Sequence, residues 1–342
     1  MYLLNPDLPL LKKDFKGNLW KDKQFDGGAY GSDTVAFKEI IKWQLGYNPQ
    51  KQEKEEDNFQ LKVHRNTSFI TSDDDMIVWL GHAAFFIRIN GVSLITDPCL
   101  KDLPLIKRQV GLPCSIYDLI GIDYLLMSHG HRDHFDEDSV NQLLEQNPKM
   151  EMLLPLRLSE LLGKRRKKTS YQEAAWWQQY KLDKGVEVIF LPAKHWNRRY
   201  LRDFNKQLWG SFMIRTPELS IYFAGDSAYT DHFKEIRDTI GSPDICILPV
   251  GAYKPSYVMK EAHMHPGEAV EAFHALEGKV MIPMHYGTYD LSDEPLGEPA
   301  RILKDLEKRG SIKGKLEMPG IGERTSLVHV NDKKLRETPS SL

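Results

Sequence analysis

The chain has 342 residues, enough for one large domain or two ordinary ones with a sizeable core. Lys+Arg 46 against Asp+Glu 48 leaves a formal net charge of −2, so no strong field draws nucleic acid. No apolar run approaches the ~20 residues of a membrane span. Cys99, Cys114 and Cys246, widely spaced and without a CxxC pair, point to reduced thiols in the cytoplasm.

Residues 1–75 are polar and read as an extension packed on a main domain of residues 76–342. The opening MYLLNPDLPLLKKDF lacks a basic start before its short, interrupted apolar stretch, so it does not read as a signal peptide. A helix is expected around Val35 to Leu45, and the run Lys51 to Asp57 reads as a solvated face. From Met76 the texture changes to short apolar runs alternating with helical patterns, which predicts an α/β domain. Gly81-His82-Ala83 ends the first such run, and His82 either lines a cleft or is a buried structural histidine. Asp97 follows Val92 to Thr96 and is expected to hydrogen-bond a ligand histidine, fixing its orientation.

The run Ile122 to Ser128 leads into His129, His131, Asp133 and His134, four metal-ligand residues within six positions. Neither a helix nor a strand can point all four one way, but a tight loop can divide them between two ions. Imidazole nitrogen with carboxylate oxygen suits zinc, and manganese or iron share these ligand types. A helical stretch is expected over Leu156 to Leu162, with the basic cluster Lys164 to Lys168 at its exposed end, where lipid headgroups or phosphate could meet it. Trp176, Trp177, Trp196 and Trp209 read as packing residues.

Three further apolar runs each end in a candidate ligand: Val186 to Leu191 before His195, Ile221 to Gly225 before Asp226, and Val280 to Met284 before His285. Their length and composition are those of buried strands, so their ends would assemble one site at one sheet edge. One divalent cation would take His129, His131 and His195, and a second Asp133, His134 and His285. Asp226 would bridge both, leaving a shared open position for water, as a catalytic site requires. Arg132, Arg198 and Arg199 either meet a phosphate or sit on ordinary loops. Pro266, with Val270, Phe273 and Leu276 at helical spacing and Gly278 beyond, predicts a helix whose N-terminus favours an anionic group.

The His-x-His-x-Asp-His loop, His195, Gly225-Asp226-Ser227 and Met284-His285-Tyr286-Gly287 resemble the metallo-β-lactamase superfamily. Within it, five strings look like the N-acylphosphatidylethanolamine-hydrolysing phospholipase D family: His195 to Arg199, Leu208-Trp209-Gly210-Ser211, Phe223-Ala224-Gly225-Asp226, Gly251 to Pro255, and His285 to Thr288 with Glu298-Pro299. The resemblance runs from about Met76 to Val330. It implies a four-layer αβ/βα sandwich with a dinuclear zinc site between two sheets. It also implies hydrolysis of a phospholipid phosphodiester to phosphatidic acid and an N-acylethanolamine. A histidine just before a Pro-initiated helix serves the active site in that family, and His263 matches it; His265 reads as a cap. Ala262 and Arg132 stand where the family carries a glutamine and an aromatic. The catalytic set is thus Asp133, Asp226 and His263. A lactonase or amidase of the same fold, acting on a small metabolite, is the alternative enzyme, and a metal-stabilised binding protein the alternative of another class. A lipid substrate implies transient peripheral contact with a membrane, at the inner surface.

Overall fold

Every residue of β4 (Met76–Gly81) and β6 (Val92–Thr96) is buried, and only Arg88 of β5 (Ala84–Ile89) is not, a pattern that requires cover on both faces of a sheet. The alternation of side chains shows how. Ile77, Trp79, Phe85 and Ile87 join the largest core cluster, whereas Met76, Val78, Leu80 and Phe86 join a second cluster with Phe69, Val140 and Leu143. In the computed structural model, which describes residues 1–31, 37–183 and 185–327, this first large sheet has seven strands. Beyond β4–β6 it contains β7 (Tyr124–Leu126), β8 (Glu151–Pro155), β9 (Ser170–Ala174) and the late-arriving β17 (Arg324–Ser326) at the β4 edge.

A second seven-stranded sheet runs in chain order from β10 (Gln178–Gln179) through β11 (Glu187–Leu191), β12 (Ser211–Arg215), β13 (Ser220–Phe223), β14 (Ile245–Pro249) and β15 (Val280–Met284) to β16 (Lys315–Leu316). The sheets face each other across the large core, with the Phe85 and Phe223 ring centroids 6.4 Å apart. Outside the first sheet lie α3 (Ser68–Thr71) and α4 (Glu137–Gln146); outside the second lie α5 (His232–Ile240), α7 (Pro266–Ala275) and α8 (Glu298–Lys308). Helix, sheet, sheet, helix: the fold is the four-layer αβ/βα sandwich.

Strand direction positions the site. β4, β6, β7 and β8 run the same way in the first sheet, because β5 is antiparallel to β4 and β6 while β6, β7 and β8 pair parallel. In the second sheet β12 is antiparallel to β11 and β13, and β13, β14 and β15 are parallel. The C-terminal ends of β4, β6, β7, β11, β13 and β15 carry His82, Asp97, His129, His195, Asp226 and His285 respectively.

Residues 1–31 form a small sheet of β1 (Tyr2–Leu3), β2 (Asn18–Lys21) and β3 (Gln24–Asp26). They are tied down by Asn5 to Gln178 and by Gly31 bridging beside His195. The expected helix near Val35 is α1 (Phe37–Leu45); Val35 itself, like residues 328–342, lies outside the described residues. The charged run forms α2 (Lys51–Glu56), one side of which is held to the region of α8: Lys54 pairs with Asp290, and Gln50 donates to Glu298 at 2.7 Å.

The expected helix over Leu156 to Leu162 is instead 3-10 turns over Leu158–Lys168, broken at Gly163 (φ 54°) and entered from left-handed Arg157. Leu158 and Leu162 are buried, and the basic cluster is itself the second turn rather than a tail beyond a helix. A four-residue helix, α6 (Ser256–Met259), precedes the loop bearing His263.

Candidate metal centre

The loop after β7 is held from below. Asp97 Oδ1 accepts the Ser128 amide at 2.7 Å, and its Oδ2 accepts both the Ser128 hydroxyl and His134 Nδ1, the latter at 2.8 Å. Ser128 Oγ in turn accepts from His129 Nδ1 at 2.9 Å. With Nδ1 engaged, each of these histidines presents Nε2 to the site, the usual way an outer partner fixes a ligand tautomer. His195 is aimed likewise, with Nδ1 on the Ala262 carbonyl at 3.0 Å. Gly225, at φ 58°, brings the chain so close that a Cβ there would lie 2.6 Å from Ser128 Cβ, and so Asp226 enters the same space.

Two groups of donors result, each gathered within 4.8 Å: His129, His131, His195 and Asp226, then Asp133, His134 and His285 together with His82. In the first, His129 Nε2 and His195 Nε2 lie 2.9 and 3.2 Å from His131 Nδ1, and both lie 3.9 Å from Asp226 Oδ2. In the second, His134 Nε2 is 3.1 Å from Asp226 Oδ2, His285 Nε2 is 3.2 Å from Asp226 Oδ1, and Asp133 lies 3.5 Å from His285. One carboxylate therefore faces both groups.

The donors fit divalent cations. His129 and His195, each with Nδ1 engaged elsewhere, turn their Nε2 lone pairs toward the same His131 nitrogen, an arrangement that favours positive charge among them. Nε2 of His134, Nε2 of His285 and Oδ1 of Asp226 are buried without a hydrogen-bond partner, which is costly in a protein interior. Burial pushes His129 and His195 well below the usual histidine pKa and His131 down to about 4, so these three are neutral and ready to ligate. Burial also opposes charge on Asp133 and Asp226, but His134 and its neighbours outweigh it and hold both carboxyls well below their usual range. Against the same burial, Asp226 and Asp133 hold His134 well above the ordinary value and His285 up at about 9. Protons thus occupy, in the cation-free protein, the side where a cation would sit.

His263 sits between the groups: its Nδ1 is 3.9 Å from Asp226, and its ring is 5.4 Å from His195 and 5.5 Å from His285. Nδ1 is buried and unpartnered, and burial lowers the pKa to about 4. The helix that follows is closed to a ligand, contrary to the sequence expectation. His265 Nδ1 accepts from the Gly267 amide at 3.0 Å, Glu268 accepts from His265, and Pro266 has no amide to offer.

The structure also decides the place of Arg199, which the sequence left open. Arg199 is not a phosphate ligand: it is buried, pairs with Glu137 at 2.8 Å and donates to the carbonyls of Gly130 and Phe135, clamping the metal loop from behind. Trp196 is half-buried and packs its ring 4.5 Å from that of His131 and 5.9 Å from that of Phe204. Arg132 is exposed over the Tyr200 ring, and Arg198 reaches the Tyr200 carbonyl. The sequence left His82 undecided, although it too follows directly on a buried strand, the signal that singled out His195 and His285. Ser128, which links Asp97 to His129, carried no signal of its own.

A cluster of buried histidines and aspartates able to hold metal, at the strand ends of an αβ/βα sandwich, is the site of a metal-dependent hydrolase. Comparison with known proteins agrees: residues 94–286 match the family model described as the beta-lactamase superfamily domain. The N-acyl-phosphatidylethanolamine-hydrolyzing phospholipase D 1 of Caenorhabditis elegans is 32% identical over 263 residues, 72% of this chain and 74% of that one. The mitochondrial N-acyl-phosphatidylethanolamine-hydrolyzing phospholipase D of Saccharomyces cerevisiae is 30% identical over 257 residues, 72% of this chain and 54% of its own length. Among solved structures, a metallo hydrolase from Ignicoccus hospitalis shares the fold, with a TM-score of 0.55 at 20% identity over 74% of this chain and 98% of that one. This chain belongs to the metallo-β-lactamase superfamily and, within it, to the family of N-acylphosphatidylethanolamine-hydrolysing phospholipases D.

Proposed function

We propose that this hydrolase is a dinuclear phosphodiesterase of phospholipase D type, acting on N-acylphosphatidylethanolamine or a related phospholipid. The observation that carries the reading is the Asp226 carboxylate, which lies 3.1 Å from His134 and 3.2 Å from His285 on one side and 3.9 Å from His129 and His195 on the other. His129, His131, His195 and Asp226 would hold one ion, and Asp133, His134, His285 and Asp226 the other, with zinc best matched to the donors. Two such cations supply Lewis acidity to phosphoryl oxygens and acidify water.

Hydrolysis adds a water oxygen to phosphorus and breaks the bond to the N-acylethanolamine oxygen, which gains a proton. His263, neutral and with Nδ1 free, hydrogen-bonds the phosphoryl group or the departing oxygen. Asp97, through Ser128 and His134, keeps the ligand nitrogens aimed. The rim supports a lipid substrate. Exposed Tyr200 and Leu201 follow His195, and Arg132, between His131 and Asp133, lies over the Tyr200 ring. Apolar side chains beside cations suit transient contact with a headgroup layer. Among the described residues no helix is long and apolar enough to cross a membrane. The free thiols of Cys99, Cys114 and Cys246 fit the cytoplasm.

Metal content and turnover of a generic phosphodiester, a phospholipid panel and a lactone panel test the reading together. About two ions per chain are expected, with Asp226→Ala losing both ion binding and phosphodiesterase activity. His263→Ala should retain its ions and lose roughly 10²-fold in kcat. Turnover of lactones with no phosphodiester cleaved would replace this reading by the lactonase one.

A further inference from the structure

We infer that His82 is the positioning residue of Asp133, holding that carboxylate in place for the ion shared with His134 and His285. The inference rests on the metal-site reading above and adds a residue to it. His82 is 1% exposed, and its Nε2 lies 3.0 Å from Asp133 Oδ2. Because a carboxylate only accepts, Nε2 carries the proton and donates it. The other nitrogen, Nδ1, is buried without a partner, a cost with no structural return.

The backbone is built to aim this ring. The β4–β5 register shifts between Trp79 and Gly81, a bulge of the kind that re-aims side chains beside active sites. Gly81 and His82 then take successive positive φ values, 108° and 54°; for histidine that is uncommon and strained. Three bonds hold the turn: the His82 amide donates to Thr288 Oγ1 at 2.8 Å, and its carbonyl accepts from Trp79 Nε1 at 2.9 Å and the His285 amide at 3.2 Å. One residue thereby ties β4 to the loop carrying His285 and places its ring 4.0 Å from that of His285.

Asp133 needs such a partner. Its other close neighbours, His134 Nε2 at 3.7 Å and His285 Nε2 at 3.5 Å, are themselves ligand atoms. Once those nitrogens turn to a cation, His82 is the donor left among the described residues to fix the carboxylate. The loop of Asp133 lies at the rim, and the side chain keeps 18% of its surface exposed, so without that bond its rotamers are free to exchange with water.

The test is zinc binding to the metal-stripped full chain, titrated against a chromophoric chelator, with folding of each apo-protein followed by circular dichroism. Asparagine tolerates positive φ, but its amide stops short of Asp133; glutamine places a donor where imidazole Nε2 stands. His82→Asn is expected to weaken one zinc equivalent by about 10- to 100-fold and to leave the other unchanged, and His82→Gln to recover most of the loss. If His82→Asn does not fold, His82→Phe, which fills the same contacts without a donor, takes its place. In the Asp133→Ala background either change should be silent. Two equivalents bound as in wild type, equal weakening of both, no advantage of glutamine, or a further loss in the Asp133→Ala background would each overturn the role of His82. Wild-type protein that takes up no zinc would instead fail the metal-site reading itself, before any variant is compared.

Discussion

At the scale of single residues, the centre is a balance between buried carboxylates and the histidines around them. Without a cation, Asp226 and Asp133 overcome burial and keep His134 and His285 protonated, His285 up to about 9. A histidine must be neutral to ligate, so a cation entering at pH 7 displaces those protons. Zinc affinity should therefore climb as pH rises above 7, as His285 and His134 give up their protons more readily. Calorimetry in buffers of different ionisation enthalpy would register the released protons, and a heat independent of buffer would contradict the assignment. Asp97 acts one step further out. Asp97→Asn removes a carboxylate oxygen that serves both His134 and Ser128, and about a 10- to 100-fold loss of zinc affinity is expected with the fold retained. Chelator competition would measure it.

Elements decide which of these residues meet. His195, Asp226 and His285 come from β11, β13 and β15, parallel strands of one sheet, while His129 to His134 come from the loop after β7 in the other. The extension holds a different side. Asp57 pairs with Arg301 at 2.8 Å and accepts the Gly297 amide, and Glu298 pairs with Lys254 at 2.6 Å and accepts from Gln50. Burial opposes their ionisation, but these partners outweigh it and depress both carboxyl pKa values. A depressed carboxyl contributes its stabilisation fully above the unfolded-state pKa and loses it as pH falls through the folded one. Acidification below the ordinary carboxylate range should then loosen residues 41–63 before the sheets. Hydrogen exchange by mass spectrometry would see protection lost there first; simultaneous loss in β5 and β14 would argue against a separately held extension.

For the whole molecule, the two-sheet core fixes the distance across the site. Phe85 is fully buried, stacks near Trp79 at 6.2 Å and faces Phe223 across the sheets. Phe85→Ala should cost about 3–5 kcal/mol, seen as a lower denaturant midpoint, and the cavity lies between the strands that carry His82 and Asp226. A smaller shift would mean that the sheets close over the gap.

Strand-forming runs and the histidines and aspartates at their ends were legible in the sequence, because burial on both sheet faces leaves near-continuous apolar segments and each ends abruptly at a polar side chain. Local chemistry also announced Pro266 at a helix start and His265 as its cap. Other outcomes belonged to the tertiary structure alone. Arg199 became a clamp because Glu137 and two carbonyls of the metal loop, distant in sequence, happen to surround it. His82 stood at the end of a buried run like the others, but which way its ring turns was set by a bulge, and periodicity cannot reveal a bulge: one residue out of register reverses the face on which a side chain emerges.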